Sequence, residues 1–175
     1  MKDDEKLQLE NKILMPLVER SISFLQDELG INVSSDEIEI VSPQKVELKK
    51  NTAMIGTGGS VQVLITIGYD DGLLNKVVEA FLEGDEVDED EKDEIHESVS
   101  CEFVNTIVGN ALQNPLDGTT LSITPPILIY EAKSLFKHKS SKIAVAKIQT
   151  DFGEMLLTTI GPKETFAKEL NFKEL

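Results

Sequence analysis

The sequence predicts an α+β domain in which a largely antiparallel sheet packs against long helices. Its strands arrive as hairpins rather than singly between helices, the order of an antiparallel sheet and not of repeated βαβ units. Three longer segments carry apolar residues at helical spacing. A chain of 175 residues, 40% hydrophobic, is enough for one domain with its own core, taken as residues 1–175. With two Tyr, seven Phe and no Trp, that core is mainly aliphatic.

The elements follow in order. "QLENKILMPLVERSISFLQDE" (8–28) sets Ile13, Leu14, Leu17, Val18, Ile22, Phe24 and Leu25 mostly on one helical face, and Gly30 stands where a helix ends. Pro16 lies inside that pattern, so the helix either begins there or kinks. "DEIEIVSP" and "KVEL" alternate as short strands. "TAMIG" and "VQVLITIGY" favour strand, and Gly56, Gly58 and Gly59 between them supply the positive φ of a hairpin turn. In "DGLLNKVVEAFLE" (71–83), Leu73, Leu74, Val77, Val78, Phe81 and Leu82 share one side of a second helix, closed by Gly84. "GDEVDEDEKDE" is an acidic link into a third helix over Ile95–Leu112. "TTLSITPPILIYE" reads as a strand interrupted by Pro125 and Pro126, which donate no ladder hydrogen bonds. "SKIAVAKIQT" and "GEMLLTTIG" form a second hairpin about Asp151 and Gly153, and "PKETFAKEL" is a short closing helix with Pro162 in its first turn.

Charge and composition narrow the function. With 32 acidic against 17 basic residues the net charge is −15, which repels a nucleic-acid backbone, and "VELKK" and "FKHKSSK" are too short to reverse the field. No apolar run reaches the roughly 18 to 20 residues of a membrane span, and the acidic start "MKDDEKLQLE" is unlike a secretory signal, so a cytoplasmic protein without a membrane partner is expected. The single cysteine, Cys101, forms no internal disulfide and offers no thiolate zinc site. The acidic run lacks the central glycine of a calcium loop, "GTGGS" lacks the Lys of a phosphate-binding loop, and "HES" at 96–98 is not followed by the second His of a zinc motif. No metal site is expected, and His96 and His138 read as surface residues.

The third helix is different. Ile95, Val99, Cys101, Phe103, Val104, Ile107, Val108, Ala111 and Leu112 sweep a broad apolar arc that buries most of it. The gap holds Ser98, Glu102 and Asn105, spaced i, i+4, i+7, with Gly109 one turn further on. Asn and Gly cost a helix about 0.7 and 1 kcal/mol relative to Ala, so the strip is either the wet side of an amphipathic helix or has a task. A task has physical logic. Glu offers a fixed charge for a partner's Lys, Asn a carboxamide that orients water by both donating and accepting, and Gly room for close approach.

"SVSCEFVN" resembles the Ser-x-x-x-Glu-x-x-Asn signature of the CheC, CheX and FliY family of bacterial chemotaxis phosphatases, with Ser98, Glu102 and Asn105 on its three positions. "ITPPILI" resembles the proline-bearing strand that follows this helix in the family, "MIGTGGSVQVLITIGYDDGLLNKVVEAFLEG" the hairpin and helix before it, and "ILMPLVERSISFLQDELGI" the amino-terminal helix. The single motif-bearing helix makes the chain CheX-like rather than CheC-like. The resemblance implies a CheC-like α+β fold and hydrolysis of the aspartyl-phosphate of a CheY-type response regulator. It implies that Asn105 orients the attacking water, Glu102 pairs with the regulator's Lys, and Ser98 and Gly109 belong to the partner-binding surface. No cofactor of its own is implied, Mg²⁺ being expected on the regulator, and a homodimer is implied. The alternative is a non-catalytic module that docks on a regulator or forms a dimeric scaffold. Two positions depart from the small residues expected in the motif, Cys101 and Val104, and the helical wheel turns Val104 toward the core.

Overall fold

The computed structural model describes residues 2–34, 39–59, 62–85, 87–113 and 121–162. Helix α1 (Lys2–Ser23) contains Pro16 within its span rather than beginning there, and continues into a π-helical turn, Phe24–Glu28. The wide turn closes on an N–H of Leu29 donating to the Phe24 carbonyl, and Gly30 at φ +65° ends the run in the left-handed region that glycine tolerates. Its apolar face is buried at Ile13, Leu14, Leu17, Val18, Phe24 and Leu25.

The chain then forms β1 (Glu39–Val41), β2 (Lys45–Glu47), β3 (Asn51–Gly59) and β4 (Leu64–Tyr69), followed by α2 (Asp71–Phe81) and α3 (Lys92–Ala111). It finishes with β5 (Leu121–Ile123), β6 (Ile127–Ile129), β7 (Ser134–Phe136), β8 (Ser141–Thr150) and β9 (Gly153–Pro162). The main sheet has the order β1-β8-β9-β4-β3, with β5 and β6 both on the outer edge of β3, and every pairing is antiparallel. The fold is thus the α+β arrangement the hairpins predict.

Three local readings need correction or relocation, and a fourth holds. Gly56 and Gly58 are not turn residues but lie inside β3, where β5 crosses close by; a Cβ on Gly58 would come within 2.9 Å of Ser122 Oγ. Only Gly59 takes a positive φ, +98°. The acidic link is shorter than Gly84–Glu94, because α3 already begins at Lys92. Asp93 and Glu94 occupy its first turn, where carboxylates complement the helix dipole. Pro162 ends strand β9 instead of opening a helix, and residues 163–170, read as that helix, lie outside the described residues. Pro125 and Pro126 do interrupt one edge strand, splitting it into β5 and β6. Thr124 repairs the gap, its N–H donating to the Gly56 carbonyl and its Oγ1 accepting from the Gly56 N–H, both at 2.9 Å.

The sheet is buried on both faces. Along β8, Ala144, Ala146 and Ile148 join the main core under the helices, while Ile143 and Val145 point the other way. That second face is covered by a ribbon the sequence reading lacks, β2 paired with β7, whose Val46 packs with Ile143, Val145 and Leu156.

One ion cluster ties the start of α2 to the sheet. Lys49 Nζ lies 2.8 Å from Asp70 Oδ1 and 2.9 Å from Glu154 Oε1, and the Glu154 N–H donates to Asp70 Oδ2 at 2.8 Å. Gly153 at φ +128° permits this, since a Cβ there would lie 2.8 Å from that of Asp70. Burial alone would raise the Asp70 pKa, but the hydrogen bonds from Lys49 and the Glu154 amide outweigh it and lower it. Burial would lower Lys49, and its two carboxylate partners outweigh that and raise it.

A depressed Asp70 contributes stability that is complete at neutral pH and fades as pH falls below about 4; a raised Lys49 contributes below about pH 10 and loses it above. Because the Asp70 side chain is 44% exposed, Lys49→Met is expected to cost only about 1–2 kcal/mol at pH 7, less than a fully buried pair. Urea midpoints at neutral and acid pH check this. The variant's midpoint should lie lower at neutral pH and converge on the unsubstituted protein's in acid, and coincident midpoints at pH 7 would remove the cluster from the account of stability.

Candidate functional site

Helix α3 is held by its apolar arc. Val99, Phe103, Val104, Ile107 and Val108 are buried against α1, α2 and β3. Phe103 sits edge-on to both Phe24 (5.2 Å between centroids) and Tyr69 (5.6 Å), locking the helix about its axis. Val104 is 0% exposed, so the departure from the motif at that position points into the core and stays clear of the outer surface. Cys101 is half-buried. Burial and the nearby Glu97 push its thiol pKa up, which leaves it a poor nucleophile at neutral pH.

With the arc fixed, the opposite strip faces outward. Ser98 and Glu102 are exposed, and Asn105 and Gly109 are half-buried on the same line. The sequence-predicted residues are therefore brought together. The reading missed a fifth member, Thr106, whose Oγ1 donates to Glu102 Oε1 at 3.5 Å; the i, i+4 spacing that linked Ser98 to Glu102 would have found it. Gly109 is helical, and a Cβ placed on it would meet only Ile123 Cδ1, at 3.9 Å, an ordinary contact. Within the described residues nothing therefore forbids alanine there, although glycine costs a helix about 0.5–1 kcal/mol.

The chemistry open to this strip is limited and specific. A carboxylate and a carboxamide one turn apart on a rigid helix can pair with a cation and orient a water, but they include no nucleophile. Among the described residues no group of three or more His, Cys, Asp or Glu is placed to hold a metal. A separate polar cleft of about 450 Å³, lined by Lys50, Asn51, Asp71, Lys92, His96 and Tyr130 among others, lies at the start of α3. His96 is nine residues before Asn105, about half a turn round the helix, so the cleft and the strip are different surfaces. His96 is half-buried there rather than at the open surface, and burial and Lys92 lower its pKa, whereas His138 is exposed and bonded to Ser140. No described helix is long and apolar enough to cross a membrane.

Comparison with known proteins agrees with this architecture. Residues 51–149, more than half of the chain, match the family described as chemotaxis phosphatase CheX. No curated protein matches the chain by sequence at a significant level. Among solved structures, the chemotaxis protein CheX of Desulfovibrio desulfuricans superposes with a TM-score of 0.70 at 19% identity, covering 84% of this chain and 97% of that one. The CheX of Borrelia burgdorferi, solved in complex with CheY, BeF3 and Mg²⁺, gives 0.63 at 22% identity over 85% and 96% of the two chains. FliY of Thermotoga maritima gives 0.59 at 17% identity over 97% and 95%. The solved structures share the fold, the family match covers β3 through most of β8 including the whole of α3, and the chain belongs to the CheX family of chemotaxis phosphatases.

Proposed function

We propose that this protein accelerates hydrolysis of the aspartyl-phosphate of a CheY-type response regulator, with Glu102 and Asn105 acting inside the regulator's active site. The observation that carries the reading is the outward-facing pair of exposed Glu102 and half-buried Asn105 on a helix whose other face is locked in the core. A rigid helix can insert both side chains together, and holding a water in line is a contribution of orientation rather than of acid or base strength.

In the step itself the oxygen of water bonds to phosphorus while the bond from phosphorus to the aspartyl oxygen breaks. The carboxylate leaves with the electron pair, and the water's proton passes to the released phosphate. Asn105 holds that water, accepting from it through Oδ1. Glu102 pairs with a Lys of the regulator and so sets the helix's register. The Thr106 hydroxyl restrains one Glu102 oxygen and leaves the other for the cation. Mg²⁺ belongs to the regulator and supplies charge neutralisation at the phosphoryl group. The Borrelia CheX structure, a complex with CheY, supports the class of partner. Dimerisation is part of the same proposal, supported by a sheet that among the described residues ends in the edge strands β1 and β5/β6.

The test is the decay of a phosphorylated CheY-type regulator from the same cell, alone and with this protein. Acceleration at substoichiometric protein is expected. Decay unchanged for every regulator tried, with complexes still forming, would reassign the protein as a docking module.

A further inference from the structure

We infer that Gly109 and Ile123 form an apolar notch beside Asn105 that receives an apolar side chain from the rim of the regulator's phosphorylation site. The inference rests on the proposed function and adds to it a second contact, contributed by a different element of the fold. Three observations converge on it. Among the described residues Gly109 has neither a backbone reason nor a packing reason to be glycine: its φ is not positive, and a Cβ there would find only Ile123 Cδ1, at 3.9 Å. A residue that weakens a helix without easing any contact among the described residues suits a surface kept open for the close approach of a partner. Ile123 is 38% exposed, a large apolar side chain on the edge strand β5, while its neighbour Leu121 on the same face packs against the core.

Position supplies the third. Gly109 lies one turn beyond Asn105 on the same line of α3, so a side chain seated over it lies about 6 Å from the residue that orients the water. A partner whose phosphoryl group is presented to Asn105 must therefore cover the notch as well. On a surface with net charge −15, an apolar contact selects among regulators by shape where the Glu102 ion pair selects by charge. β5 reaches this place because its register with β3 sets Ile123 opposite Thr57, and the proline pair after it stops the strand from continuing unbroken.

Gly109→Ala separates a partner-facing glycine from a structural one. The added methyl meets no obstacle and favours the helix, so the melting temperature should rise by about 1–3 °C. The same methyl fills the notch, so KM for the phosphorylated regulator should rise about 5- to 20-fold with kcat largely kept. Ile123→Ser should raise KM by about tenfold without altering its dependence on salt, whereas Glu102→Gln should flatten that dependence. An unchanged KM in both notch variants of an active protein overturns the notch and leaves the phosphatase reading standing. A fall in melting temperature in Gly109→Ala also overturns it, since the glycine would then serve the fold. If the intact protein itself fails to speed decay, the phosphatase reading falls and the notch falls with it.

Discussion

Asn105→Ala is expected to leave a folded protein that still binds the phosphorylated regulator and has lost most of its power to hydrolyse it. The carboxamide is half-buried on the outward strip, and α3 is fixed from the other side by Phe103, Val104 and Ile107. Truncation to alanine therefore leaves the packing alone and favours the helix by up to about 0.7 kcal/mol. Losing the group that orients the nucleophile should lower kcat by about a hundredfold or more, since the aligned geometry is what the residue supplies. Single-turnover decay at saturating protein measures this, with a separate binding titration. A variant as active as the parent would remove Asn105 from the chemistry, and a variant that binds tenfold more weakly at equal kcat would make it a docking residue.

How much of this was legible in the sequence depends on the range of the signal. Helix α3 was legible because its period repeats over five turns, so the wheel alone separated Phe103 and Val104 from Glu102 and Asn105. The hairpin β8–β9 was legible because two ten-residue strands flank an Asp-Phe-Gly turn. The β2–β7 ribbon was half lost, because three residues such as Ser134–Phe136 are too few to show a period of two. Gly56 and Gly58 misled for a physical reason: glycine serves a turn and the close passage of another strand equally well, and only the pairing with Ser122 decides between them. Ile123 was legible as a strand residue, but nothing local placed it beside α3. Its place beside Gly109 is created by the register of β5 on β3 and by the packing of α3 over that edge, both long-range facts.

The largest effect on stability should come from a residue between the two catalytic candidates. Phe103 is fully buried, and its ring meets Phe24 at 89° and Tyr69 at 87°, so one side chain joins α3 to the π-helical end of α1 and to strand β4. Phe103→Ala removes the transfer free energy of the ring, leaves a cavity and breaks both edge-to-face contacts; about 3–5 kcal/mol is expected. Against a total of about 5–15 kcal/mol for a domain, that is a fifth or more of the margin, readable as a shift in the urea midpoint at constant slope. Phe103→Leu keeps most of the apolar volume and should cost about 1–2 kcal/mol. The two variants also report on function. Phe103 directly follows Glu102 and stands two residues before Asn105, so if the ring fixes the rotation of α3, Phe103→Leu should lower kcat more than its small loss of stability can explain. If instead the folded fraction of Phe103→Leu keeps full activity, the strip is positioned by Val104, Ile107 and Val108 together, and Phe103 serves stability alone.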